Sequence, residues 1–193
     1  MAPLRPELRL DQIKALTHPL RLSILRELRA NGPATATALG KRLGESSGST
    51  SYHLRQLAKH GFVEELPDSG DARDRWWRPA MSGHRVEPAR FANDPEQRAI
   101  VGVYQAQVVA GYAARMDTYV AEQSAGEWGA EWAEAYDLSD FKLRLTPTQL
   151  TRLVAKLHAV IESYGKYDAA DGEEVVVQIG AFPRKVRPFE ADQ

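Results

Sequence analysis

Apolar positions recur through the first third of the chain with the spacing of short helices. After Leu16-Thr17-His18-Pro19, with Pro19 suited to a first helical turn, Leu20, Ile24, Leu25 and Leu28 share one face, and Asn31-Gly32-Pro33 stops the run. Thr35 is a natural N-cap for a second short helix that carries Leu39 and Leu43 to Gly44. A small-residue turn, Glu45 to Gly48, leads into a third helix with Thr50, Leu54 and Leu57 on one face and Gly61 at its end. The period then changes to two. Phe62 to Leu66 and Arg75 to Arg78 read as strands on either side of the turn-forming run Pro67-Asp68-Ser69-Gly70-Asp71, and Trp76 and Trp77 alternate so that one packs inward.

A different texture begins after Ser82 to Asn93, a stretch with Gly83 and Pro88 that reads as a linker. Asp94-Pro95 opens a long helix, Glu96 to about Glu122, whose apolar residues are too many for one stripe, which predicts burial on two sides and a dimerisation role. A second segment, Glu127 to Tyr136, sets Trp128, Trp132 and Tyr136 four residues apart. The tail predicts β-α-β: a strand Phe141 to Leu145, a helix begun by the capping box Thr146-Pro147-Thr148-Gln149 that buries Leu150, Leu153, Val154, Leu157 and Ile161, a loop at Asp168 to Gly172, and a strand Val175 to Ala181. The fold class expected is mainly α with small β elements. Three segments are expected: a winged helix-turn-helix at residues 1–81, the linker at 82–93, and a helical or α+β domain for dimerisation or effector binding at 94–193.

The third helix carries chemistry on the face away from its apolar stripe. Ser47, Ser49, Ser51, Tyr52, Arg55, Gln56 and Lys59 offer hydroxyls, an amide and two cations, the groups that reach phosphates and base edges in a major groove. His53 sits at the edge of the buried face, where packing competes with DNA contact. Arg73 and Arg75, on the hairpin, are placed to follow a minor groove.

The runs LTHPLRLSILREL and ATALGKRLGESSGSTSYHLRQLAKHGFVEE resemble the winged helix-turn-helix of ArsR-type bacterial repressors over roughly residues 10 to 80. That resemblance implies a homodimeric, operator-binding transcription factor. LTPTQLTRLVAKLHAVIESY is similar, less specifically, to the carboxyl-terminal half of actinobacterial regulators of that type. Metal-sensing members use cysteine clusters, and this chain has no cysteine.

Charge sharpens the picture. Residues 1 to 90 hold 15 Lys/Arg against 10 Asp/Glu, whereas residues 91 to 193 hold 10 against 16, so a net −1 conceals a basic half joined to an acidic one. This suits one module that meets phosphate and another that avoids it. The scattered His residues have no metal-ligand spacing, so no metal and no cofactor are expected. With no P-loop, Gly-x-Ser-x-Gly, HExxH or dinucleotide fingerprint, no catalytic residue is assigned and the protein is read as a non-enzyme. The absence of Cys, of a membrane-spanning run and of a signal-peptide core fits a cytoplasmic protein without membrane contact. The expected partners are a double-stranded DNA operator, a second copy of the chain, and a small organic ligand among Tyr104, Tyr112, Trp128, Trp132 and Tyr136; a winged-helix module that binds protein instead of DNA is the alternative.

Overall fold

A computed structural model describes residues 6–66, 75–165 and 172–185. Its elements follow the order α1 Leu10–Ala15, α2 Pro19–Asn31, β1 Ala34–Thr35, α3 Ala36–Leu43, α4 Ser47–Lys59, β2 Val63–Leu66, β3 Trp76–Pro79, a 3-10 turn Pro88–Phe91, α5 Pro95–Ser124, α6 Ala130–Ala135 and α7 Pro147–Tyr164. The hairpin turn Pro67–Asp71, Arg73, and the loop from Asp168 as far as Asp171 lie outside the described residues. Contacts divide the chain into two compact units, the first ending at Ala121 and the second beginning at Glu122.

The N-terminal unit is built as the hydrophobic spacing requires. Ile24, Leu25 and Leu28 of α2, Leu39 of α3, and Leu54 and Leu57 of α4 are all essentially inaccessible and form one cluster with Ile13, Leu16 and Phe62. Leu22 joins them, while Leu20 is only partly covered. Side chains so placed each contribute roughly 1.5–3 kcal/mol through burial. Thr35 caps α3 by accepting from the Ala38 N–H at 3.2 Å. Gly44 ends α3 in the left-handed region, φ 69° and ψ 30°, where a side chain is disfavoured. Gly40 is needed for another reason: a Cβ there would stand 2.7 Å from the Glu45 carbonyl oxygen, so only glycine lets the turn fold back against α3.

The three strands form an antiparallel sheet in the order β1-β3-β2. Val63 opposes Pro79 and Glu65 opposes Trp77, which also faces Ala34 of β1. Trp77 is buried and Trp76 half-buried, the alternation expected of a sheet with one face on the core. The two-residue β1 and the helix α1 are elements that the sequence pattern did not delimit.

The supposed linker is structured. Glu7 pairs with Arg85, the Leu8 N–H donates to the Arg85 carbonyl at 2.9 Å, and Phe91 enters the core. Asp94 caps α5, its Oδ1 accepting from the N–H groups of Glu96 and Gln97 at 2.8 and 3.1 Å. Val101 and Tyr104 then bring α5 onto the same core. Arg26 of α2 donates to the Gln107 carbonyl at 2.8 Å. Arg29 donates to Nδ1 of His84 at 3.2 Å, and because a guanidinium cannot accept, the ring proton sits on Nε2, facing the Tyr104 hydroxyl at 2.8 Å. Burial, with Tyr112 adding to it, pushes the Tyr104 hydroxyl up to about 12.

The C-terminal unit departs from expectation. Phe141 to Leu145 and Val175 to Ala181 form no strand. Alternation decides which side chains would share a face, but a strand needs a partner's N–H and C=O groups, and no ladder forms here. Helix α7 begins as foreseen, with Thr146 and Gln149 closing a capping box. Its apolar face is not buried within one chain, however: Leu150, Leu153 and Val154 are half-covered, and Leu157, Val160 and Ile161 are exposed.

Candidate nucleic-acid interface

Helix α4 is fixed from beneath. Ser46 caps it, accepting from the Ser49 N–H at 3.1 Å, and the buried Thr50 hydroxyl donates to the Ser46 carbonyl at 2.9 Å. With Thr50, Leu54 and Leu57 in the core, the helical repeat turns Ser47, Tyr52, Arg55 and Lys59 to solvent and leaves Ser49, Ser51 and Gln56 half-covered. Tyr52 is 55% exposed, a large aromatic with nothing over much of its ring. None of the thirteen residues of α4 is acidic.

His53 belongs elsewhere. It is buried, its ring centroid is 4.3 Å from that of His18, and Tyr52 meets it edge-on at 5.1 Å. Burial, reinforced by His18 and by the positive Arg21, holds its imidazole below the usual range, and its Nδ1 has no hydrogen-bond partner among the described residues. In the structure this ring packs against His18. His18, the N-cap of α2, supplies the ring against which it packs.

The hairpin stands beside this face. Arg75 is exposed and pairs loosely with Glu65 at 3.6 Å, and Arg78 pairs with Glu64 at 2.8 Å. Arg73 lies outside the described residues. A cavity of about 240 Å³ opens where the helices meet the sheet, lined by Ala36, Thr37, Ser47, Ser51, Arg55, Arg75 and Trp77. Sequence reasoning missed Thr37. The signal available was Thr35 as a cap, which fixes the start of α3 without revealing that α4 and β3 converge on it.

The aromatic set is divided between the two units. Tyr104 is in the core of the N-terminal unit, bonded to His84, and Tyr112 has the Arg115 guanidinium 5.3 Å from its ring centroid. In the C-terminal unit Trp128 and Trp132 meet edge-on at 6.0 Å, and the Trp128 indole donates to Glu122 at 3.0 Å. Helix α6 starts only at Ala130, because Gly129 is its N-cap, so Trp128 precedes the helix that was to carry it. A second cavity of the N-terminal unit, about 310 Å³, is lined by Pro88, Ala89, Ala92, Arg98, Val101 and Gln105, and by no member of that set. Among the described residues no group of three or more His, Asp or Glu is placed to hold a metal ion, and no helix is long and apolar enough to cross a membrane.

A family described as a helix-turn-helix domain matches residues 16–65. No curated protein matches the chain. Among solved structures, a MarR family regulator from Neisseria meningitidis is 16% identical, with 76% of this chain and 75% of that one covered and a TM-score of 0.31. The adhesin competence repressor AdcR of Streptococcus pyogenes is 14% identical, with 79% and 84% covered and a TM-score of 0.32. ZitR of Lactococcus lactis is 13% identical, with 77% and 83% covered and a TM-score of 0.31. Superpositions that poor decide nothing about this chain. The domain match and the hairpin beside α4 make residues 16–79 a winged helix-turn-helix, and they support a DNA-binding transcriptional regulator.

Proposed function

We propose that the protein is a sequence-specific transcriptional repressor of the ArsR type that binds a DNA operator as a homodimer in the cytoplasm and is released by a small organic ligand. The observation that carries this reading is the acid-free outer face of α4, with Tyr52, Arg55, Gln56 and Lys59 on a helix locked to the core and Arg75 of the hairpin alongside. A helix so exposed fits a major groove, where such side chains meet base edges and phosphates. Ser47, Ser49 and Ser51, near its start, are assigned to the same interface, and Arg73 to the wing.

Dimerisation is assigned to α5. One side of this helix packs on its own unit through Val101 and Tyr104, while Val103, Ala106, Val109, Ala110 and Ala113 are exposed along the other. Two copies joined there would present two recognition helices to successive major grooves about 10 base pairs apart. Trp128, Trp132 and Tyr136 of the C-terminal unit remain the proposed ligand contacts, and no catalytic role is assigned. Recovering genomic fragments bound to the protein and reading their common motif tests the function. A shared, dyad-symmetric motif is expected; near-absence of duplex binding at low salt would overturn the reading in favour of a protein-binding winged helix.

A further inference from the structure

The cavity at the head of α4 has the lining of an anion site rather than of an organic pocket. Two guanidiniums reach it from different parts of the fold, Arg55 from the recognition helix and Arg75 from the position just before β3. Three hydroxyls join them, Thr37, Ser47 and Ser51, and the apolar contribution is limited to Ala36 and Trp77. Ala36 and Thr37 are the first residues of α3, and Ser47 is the first of α4, so two helix N-termini open on the same space. Caps occupy the N–H groups of Ala38 and Ser49. The other first-turn N–H groups have no partner within their helices, and both helix dipoles favour negative charge at that end.

Arg55 has no ion-pair partner among the described residues, and Arg75 has only Glu65 at 3.6 Å, both groups being well exposed. Such a pair is weak and readily exchanged. A volume of about 240 Å³ is room for roughly eight waters at about 30 Å³ each, enough for one tetrahedral oxyanion with part of its hydration. We propose that Arg55, Arg75, Thr37, Ser47 and Ser51 form a cradle for a single phosphoryl oxyanion, and that a backbone phosphodiester of the bound duplex fills it. This rests on the DNA-binding reading and sharpens it: Arg55 stands on the recognition helix yet serves position, not sequence, leaving Tyr52 and Gln56 to read bases. It also couples the recognition helix to the wing, since one phosphate is held by both.

The test is the salt dependence of duplex binding by the full chain, for wild type, R55Q, R75Q and the double variant, on a recovered genomic fragment and on a random duplex. Neutralising one phosphate contributes about 0.9 to the slope of log K against log salt. Because the two arginines share one phosphate, the double variant is expected to lose about 0.9, and to weaken both duplexes by the same factor. E65Q, which removes the competing carboxylate, is expected to tighten both. A loss of about 1.8 in the double variant would mean two separate phosphates and would overturn the cradle while leaving DNA binding intact. An unchanged slope, or a loss confined to the genomic fragment, would overturn it too. If wild type bound neither duplex at low salt, the DNA reading would fall. Calorimetric titration with inorganic phosphate then decides the cradle: uptake by wild type but not by the double variant keeps it as an oxyanion site, and no uptake overturns it.

Discussion

Tyr52 and His53 are neighbours on α4 whose rings meet edge-on, yet one is more than half exposed and the other is buried. Their expected mutant behaviour differs accordingly. Tyr52→Ala or Gln56→Ala should cost about 1–3 kcal/mol at the operator and much less on random duplex, because base-edge contacts exist only at the operator. Equal losses on both, measured by titration at fixed salt, would show that these residues meet phosphate. For His53 the consequence is in stability. The fold favours its neutral ring, mainly by burial, so the contribution is complete above the unfolded value of about 6.5 and is lost as the pH falls below it. Thermal denaturation between pH 7.5 and 5 should show the wild type losing more stability than His53→Gln.

Helices carry the next level of consequence. Val101 is 3% exposed and belongs to the core of its own unit, whereas Val109, about two turns further along α5, is 63% exposed. A charge at the first position is an unpaired buried charge, costing several kcal/mol and unfolding the unit. At the second it is harmless to the single chain. Val109→Glu should therefore leave the circular dichroism spectrum intact and convert dimers to monomers in sedimentation; a dimer that survives would move the interface off α5. In α3, Gly40→Ala is expected to be destabilising despite alanine's better helix propensity, since the Glu45 carbonyl occupies the space of the added methyl. Chemical denaturation would register that as a lower midpoint.

For the whole molecule, the basic first half predicts duplex affinity that falls steeply with salt. The signal is tested separately. With no cysteine in the chain, zinc or arsenite at stoichiometric levels should not release DNA, whereas an organic ligand that alters tryptophan fluorescence should also alter operator affinity. Zinc releasing the DNA while no organic compound perturbs the fluorescence would reverse that assignment.

Sequence alone determined the parts of this protein that are set by local periodicity and by caps. The stripes of Leu25, Leu28, Leu39, Leu54 and Leu57, the cap Thr35, the box at Thr146 and the alternating Trp76 and Trp77 each act within a few residues, so their pattern survives as a string of letters. That Tyr52, Arg55 and Lys59 face solvent was legible for the same reason. Tertiary structure decided everything that needs two distant segments to meet. His53 packs inward against His18 at the start of α2, Tyr104 became a core residue with its hydroxyl on His84, whose other ring nitrogen accepts from Arg29, and the tail's alternating runs formed no strand because alternation by itself supplies no ladder. The cradle of Arg55 and Arg75 is of the same kind: periodicity places each arginine on its own element, and only the packing of α3, α4 and β3 gives them one cavity to share.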